Sequence, residues 1–593
     1  LAWRQPFVLL EDRLSADAPA RLFLDPIEII RCENGEDVPL ALDRIDAGIA
    51  RGLHAAGFIS YEAGYSFEPR LSSLMPAQRA VPLLWFGLFR QPLHMSQAEL
   101  DQLFGGMAPP QPLAEIRPRL EAADHAGRLE KISGYLKAGD VYQVNFTFPI
   151  DVRYHGEPLA LYAVLRASQP VAHGGVIGFD AGTILSISPE LLLEVGSGQA
   201  TTRPMKGTVA RGASPEADRA ALAGLRADPK QRAENLMIVD LLRNDLGRIS
   251  EIGSVEVPRL FTVETYPTLH TMTSTITSRV RRGLSIRDVV SAVFPCGSIT
   301  GAPKLRAMEI VRELEDDARG VYCGAMGAID PNGDLRFNVA IRTLTIFPDH
   351  SGCYGAGGGI VADSNAVAEY AEALLKAKVL TELAEDYGLI ETLCWSVATG
   401  FLRLRLHLDR LERSARDLGF RFDRAGIESR LAAMATTFGQ SEARRIRLQL
   451  ARSGDIDITA PVLPPESDRP LVVVLAPLAA DAGDPFLRYK TTRRRLQEAA
   501  FASAAERGAD EALLLNRAGH VTEASRSNVF VERDGVLLTP PLTDGVLPGV
   551  LRQSLIESGE AIEQHLTPAD LARAERWFLG NSLRGLRVAR FRS

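Results

Sequence analysis

The spacing of apolar residues changes along the chain, and the changes divide it. From about residue 120 to 380, short strand-like apolar runs alternate with longer runs of helical period. The runs 174–179, 183–187 and 335–346 predict strands. The stretches 214–225, 231–246 and 367–383 predict helices, the first with Ser214 as N-cap and Pro215 at its first helical position. Residues 1 to 120 mix short apolar runs with proline- and glycine-rich turns. Ala384-Glu385-Asp386-Tyr387-Gly388 closes the last of these helices, and a second strand-and-helix pattern follows to the C-terminus. The expected organisation is 1–120, 121–385 and 386–593, with no flexible linker and no internal repeat.

Composition narrows the class. At 593 residues the chain exceeds one ordinary core, so two or more domains are expected. Hydrophobic residues make up 46% and charged residues 24%, as in soluble globular proteins. A net charge of −7 argues against a nucleic-acid binder. Cys32, Cys296, Cys323, Cys353 and Cys394 show neither zinc-site nor disulfide spacing. The apolar stretch 81–89 is far short of the roughly 20 residues a membrane span needs. No charged start followed by an apolar run marks a signal peptide, and a reducing cytoplasm is the expected setting.

Several residues carry candidate chemistry. Lys206 stands in Pro204-Met205-Lys206-Gly207-Thr208, and Glu190 stands on what reads as a neighbouring strand. Such a pair is either a structural ion pair or an amine nucleophile with a proton donor. Glu369 and Glu372 share one helical face, and Glu234 lies on another helix. Oxygen ligands of this kind suit Mg²⁺, and they equally suit a solvated acidic face. Cys296-Gly297-Ser298-Ile299-Thr300-Gly301-Ala302-Pro303-Lys304 opens onto a helix whose N–H groups could hold a carboxylate. Gly355-Ala356-Gly357-Gly358-Gly359 precedes the Glu369/Glu372 helix, and both glycine runs also read as tight turns. Arg342 is a charge in an apolar strand, which a bidentate carboxylate would pair.

Together with Ala233-Glu234-Asn235-Leu236-Met237-Ile238-Val239-Asp240-Leu241-Leu242-Arg243-Asn244-Asp245-Leu246-Gly247, these segments closely resemble the chorismate-utilising enzymes. The resemblance covers about 120 to 380 and reaches weakly to Gly57-Phe58-Ile59-Ser60-Tyr61-Glu62-Ala63-Gly64. It implies an α+β fold of two large antiparallel sheets flanked by helices. Gln143 and Lys206 resemble the aminodeoxychorismate synthase branch: water-adding relatives carry lysine at the first position, and anthranilate synthases a small residue at the second. The implied roles are Glu190 as general acid and Lys206 as nucleophile, with Glu234, Glu372 and nearby Glu369 holding Mg²⁺. Thr300 and Gly359 would line the ring carboxylate, Tyr322 and Arg342 would hold the enolpyruvyl carboxylate, and His270 would lie beside the ring. Asn365-Ala366 departs from the family's Asp-Pro before the metal helix. Since no Gly-x-Cys-x-Gly glutaminase turn is present, ammonia would come from an amidotransferase subunit or from solution.

A different set follows residue 385. Lys490, Glu523 in Val521-Thr522-Glu523-Ala524-Ser525, and Arg410 in His407-Leu408-Asp409-Arg410-Leu411 supply an amine, a carboxylate and a phosphate-binding cation. With Leu547-Pro548-Gly549-Val550-Leu551-Arg552 and Gly580-Asn581-Ser582-Leu583 they resemble the fold-type IV pyridoxal-phosphate family, which includes aminodeoxychorismate lyases. The resemblance implies an α/β domain. Lys490 would carry the cofactor and Glu523 would face its ring nitrogen. Arg410, the backbone at Val550 and Leu551, and Asn581 would hold its phosphate. Thr392 matches a threonine that assists in some lyases. The strands and Gly-Asp-Gly turn that usually open this family are missing before Ile390-Glu391-Thr392. The expected enzyme makes 4-aminobenzoate from chorismate. The alternatives are a synthase with an inactive C-terminal remnant, an anthranilate synthase-like enzyme, and a non-catalytic partner of an amidotransferase.

Overall fold

The computed structural model describes all residues except 1, 2, 4, 16–17, 211–214, 266–268, 385–386, 440–441, 466–468 and 593, so the expected cap Ser214 lies outside the described residues. The chain forms two compact units. The first holds Leu1–Gln97, Pro112–Pro158 and Ser168–Glu385; the second holds Ala98–Gln111, Leu159–Ala167 and Asp386–Ser593.

The first unit is built, among the described residues, from two ten-stranded antiparallel sheets. In one, Gln143–Arg153 pairs with Ser351–Ile360, which leads through Thr343–Ile346, Gly182–Ser188 and His173–Phe179 to Phe7–Glu11. In the other, Met205–Ala210 pairs with Leu269–Arg279, which leads through Gln199–Arg203, Leu191–Gly196, Leu335–Val339 and Ala325–Ile329 to His54–Ile59. Strands from before residue 120 enter both sheets, and Ala114–Pro118 pairs with Gln143–Arg153. The core lies between the inner faces: Val8, Phe23, Ile177, Phe179 and Ile184 of one sheet meet Phe58, Trp85, Phe89 and Met326 of the other. The apolar run at 81–89 becomes the strand Leu84–Phe89, buried on both faces. Among the described residues, no helix is long and apolar enough to cross a membrane.

Local signals set the helix bounds. Asp228 caps Pro229–Gly247 by accepting from the N–H groups of Lys230 and Gln231, with proline at the helix start. Asn365 caps Ala366–Lys376 through the N–H groups of Val367 and Ala368, so the departure from Asp-Pro leaves the start intact. The expected helix over 367–383 is two, Ala366–Lys376 and Lys378–Ala384, broken at Ala377.

The run 335–346 is also two elements. Leu335–Val339 belongs to one sheet and Thr343–Ile346 to the other, and the chain crosses between them at Ala340-Ile341-Arg342. Arg342 therefore stands at a crossover rather than inside a strand, with φ of 49° in the left-handed region. Such backbone is rare for a non-glycine residue and collects at functional positions.

The second unit holds a four-stranded antiparallel sheet containing Leu389–Ser396, and a mixed eight-stranded sheet containing Val521–Ala524, Asn528–Arg533 and Trp577–Asn581. Its short members from earlier in the chain are bound by a buried charge. Arg166 is 1% exposed, donates to Asp101 at 2.9 Å and lies over the Phe104 ring at 4.8 Å. A Cβ on Gly483 would stand 2.7 Å from the Arg166 guanidinium, so this glycine lets the 481–484 backbone press against the pair.

Candidate active sites

Lys206 is aimed by a bulge. The pairing of Met205–Ala210 with Leu269–Arg279 slips between Met205 and Thr208, and Gly207 takes φ of 83° there. An extra residue with a left-handed glycine re-aims the neighbouring side chain. A Cβ on Gly359 would lie 3.2 Å from Lys206 Nζ and 2.9 Å from Gln143 Nε2. Glycine at 359 thus keeps open the space that both groups border. Gln143 is fully buried, yet neither its amide nitrogen nor its amide oxygen has a hydrogen-bond partner. Burying an unsatisfied amide costs on the order of 1–3 kcal/mol, so its donors and acceptor call for a partner.

Glu190 and Arg342 arrive on adjacent crossovers. Pro189-Glu190 links Gly182–Ser188 of one sheet to Leu191–Gly196 of the other, while 340–342 runs back. The two links are tied by Val339 N–H donating to Glu190 O at 3.0 Å and Ile187 N–H donating to Arg342 O at 3.2 Å. Burial pushes the Glu190 carboxyl up to about 7, against a hydrogen bond from Ser298, the Lys206 charge and the Met205 N–H. Its Oε1 is buried with no partner. Lys206 is lowered by burial and then by the nearby Lys376 charge, with Glu190, Glu234 and Glu372 opposing. The two shifts move the pair toward a protonated acid and a neutral amine.

The Glu190 shift also sets a stability prediction. A carboxyl raised from 4.5 to about 7 contributes stability below pH 4.5 that is lost as pH rises through about 7, on the order of 3 kcal/mol. Glu190→Gln removes the buried charge. It is expected to melt above the parent protein near about pH 8 and with it near about pH 4, read by calorimetry; equal melting at both would place Glu190 in contact with water.

Two of the expected metal ligands, Glu234 and Glu372, act on the same amine. Glu234 comes from Pro229–Gly247, and its carboxyl is raised by burial. Glu372 is lowered chiefly by Lys376, whose Nζ lies 3.0 Å from it. Glu369 accepts from Ser364 at 2.6 Å. The oxygens of the three carboxylates do not all come within 4.8 Å of one another, and Glu372 meets Lys376. Thr300 is fully buried and donates to the Cys296 and Gly297 carbonyls. The Tyr322 ring packs on Gly355, where a Cβ would meet it at 2.1 Å. Arg342 donates to Gln169 at 3.3 Å. His270 has both ring nitrogens engaged, with Asp218 and Thr265, each at 2.9 Å.

In the second unit Lys490 follows the short turn Pro485–Arg488, and its carbonyl accepts from Ile390 N–H at 2.8 Å. Burial, then the charges of Arg494 and Arg410, bring its amine down to about 7. Glu523 is raised by burial and accepts from Gln497 and from Leu547 N–H, each at 3.2 Å. Arg410 is clamped by Glu391 at 2.8 and 2.6 Å and donates to Pro548 O at 3.0 Å. Burial alone would raise Glu391, but Arg410 and His407 hold it at about 2. Val550 and Leu551 open the helix Val550–Glu557, whose N-cap Gly549 offers no side-chain acceptor. Asn581 donates to Ser527 and accepts from the N–H groups of Leu583 and Arg584, shaping the turn after its strand.

Four participants were not singled out from the sequence. Ser298 lay unremarked inside the glycine-rich segment, and Lys376 follows Glu372 at i+4, a visible ion-pair spacing. Glu391 and His407 carry no such signal, since their partners lie on other elements.

Residues 5–382 match the chorismate binding enzyme family, and the chain belongs to it. Residues 388–590 match amino-transferase class IV, so the second half is class IV aminotransferase-like. Among curated relatives, aminodeoxychorismate synthase component 1 of Klebsiella aerogenes is 43% identical over 45% of this chain and 59% of its own length. Anthranilate synthase component 1 of Cereibacter sphaeroides is 38% identical over 47% of this chain and 55% of its own. The chain therefore spans somewhat more than half the length of these relatives. The crystal structure of anthranilate synthase component I from Streptococcus pneumoniae superposes with a TM-score of 0.54 at 27% identity, over 64% of this chain and 93% of that one.

Proposed function

We propose that the first unit converts chorismate and ammonia to 4-amino-4-deoxychorismate, and that the second splits this product into pyruvate and 4-aminobenzoate. The observation that carries the first step is the Lys206 amine bordering Gln143 across Gly359, with a buried, raised Glu190 among the charges acting on it. Lys206 Nζ bonds to ring C2 as the C4–O bond breaks, and Glu190 gives its proton to the departing hydroxyl, which leaves as water. Ammonia then bonds to C4, the Nζ–C2 bond breaks, and a proton from the new C4 ammonium returns to the Glu190 carboxylate, so the lysine and the acid are both restored. Gln143, which cannot serve as a base, leaves water unactivated. Ammonia comes from a glutamine amidotransferase subunit. An anthranilate synthase would lack the amine at 206.

Mg²⁺ fits the donor set. Glu234 and Glu372 offer hard oxygens beside one amine, and the Lys376 ammonium already meets Glu372 where a cation would. Bound there, the ion would hold the ring carboxylate. Glu234→Gln and Glu372→Gln are each expected to raise the Mg²⁺ needed for half-maximal turnover by about tenfold or more. Titrations like that of the parent protein would leave these residues as a solvated face.

Pyridoxal phosphate fits the second unit, where a near-neutral lysine faces a buried carboxylate and a helix N-terminus lacks a side-chain cap. When bound, the cofactor would supply an electron sink. Lys490 would hold it and, once released from it, would carry a proton from C4 to the enolpyruvyl methylene, while Glu523 would face its ring nitrogen and Arg410 would offer its remaining donors to its phosphate.

The test is chromatography of products from chorismate, Mg²⁺ and ammonium ion with the purified chain. Aminodeoxychorismate, or 4-aminobenzoate with pyruvate, is expected. Anthranilate would move the chain to the sister branch, and no turnover would leave it a binding subunit.

A further inference from the structure

His520, Asp544 and His565 are far apart in sequence, yet their ligand atoms lie within 4.8 Å of one another in the second unit. We propose that they form a binding site for a divalent transition-metal ion of the zinc type, separate from the two active sites. Two imidazoles and one carboxylate are a donor set of borderline softness, which suits Zn²⁺ or Co²⁺ and not Mg²⁺. Asp544 is 5% exposed at its side chain, and the two rings stand at the surface with centroids 4.9 Å apart. His520 Nδ1 lies 3.3 Å from Asp544 Oδ1, and His565 Nδ1 lies 2.9 Å from Oδ2. Ligands bonded at about 2.0–2.1 Å around a tetrahedral ion stand about 3.3 Å apart, so little movement is needed to admit one. The exposure of the rings leaves the fourth position to water.

The surroundings orient the ligands. Asn516 Nδ2 donates to Asp544 at 3.3 Å, and Asn516 Oδ1 accepts from His520 N–H at 3.0 Å, so one side chain fixes two of the three. The ligands also come from three separate segments of the chain. His520 precedes Val521–Ala524, the strand that carries Glu523. Asp544 opens the path to Pro548 and Val550. His565 follows Ala561–Glu563, and Leu566 O accepts from Val521 N–H at 2.7 Å. A bound ion would staple the turn before Glu523 to the loop leading to the helix Val550–Glu557.

The test is Co²⁺ and Zn²⁺ binding to the full chain, with excess Mg²⁺ present to fill carboxylate sites. One equivalent of Co²⁺ with the visible spectrum of a four-coordinate nitrogen–oxygen site is expected, displaced by Zn²⁺. His565→Ala, at an exposed position that folding does not need, is expected to lose this spectrum and at least tenfold in affinity. His520→Ala should do the same, and Asn516→Ala should weaken binding about tenfold. Absence of binding, or binding unchanged in His565→Ala and His520→Ala, would overturn the proposal and leave a hydrogen-bonded His–Asp–His cluster.

Discussion

Lys206→Ala is expected to lose at least about three orders of magnitude in aminodeoxychorismate formation, about 4 kcal/mol of transition-state stabilisation. Lys376 is the other lysine whose charge acts on Lys206. It is committed to Glu372 and to the Gly357 carbonyl at 2.8 Å. The loss should fall on kcat rather than on KM, because the lysine bonds to the substrate only as the C4–O bond breaks. The space freed beside Gly359 also resembles that of enzymes with a small residue here, so residual product is expected to include anthranilate. Product chromatography under saturating ammonium ion reads both effects. Turnover close to the parent's would remove the covalent role and leave an ion pair.

Lys490→Ala is expected to abolish pyruvate release while aminodeoxychorismate accumulates, since Lys206 and Lys490 belong to different units. Arginine at 490 should not rescue it, because a guanidinium stays protonated and cannot carry the cofactor. In the parent protein, borohydride after saturation with pyridoxal phosphate should fix the cofactor on residue 490, read by mass spectrometry. The free amine sits at about 7, so the rate of cofactor uptake before reduction should fall as pH drops below that value and ammonium accumulates. A chain that aminates chorismate but takes up no cofactor would mark the second unit as a remnant.

Much of this was legible in the sequence where a local rule applied. The apolar periodicity over 231–246 foretells the helix Pro229–Gly247, whereas the glycine run 355–359, which reads as a tight turn or a carboxylate-holding helix start, lies inside the strand Ser351–Ile360. Legibility ended where partners are distant. The run 335–346 keeps strand propensity throughout, and only the second sheet reveals that Ala340-Ile341-Arg342 is a crossover. Arg410 read as a phosphate ligand, but its clamp by Glu391 depends on two elements packing together. The i,i+4 spacing of Glu372 and Lys376, by contrast, is a visible ion-pair signal that the metal-ligand reading of Glu372 left unused.

The passage of the chain between its units bears on how the two halves can be inherited. It changes unit at 97/98, 111/112, 158/159, 167/168 and 385/386. A gene cut at the last of these points would yield a C-terminal product without the helix partners Asp101 and Arg166, and an N-terminal product displaying them with nothing to cover. Splitting the reading frame there would therefore not release the second unit whole.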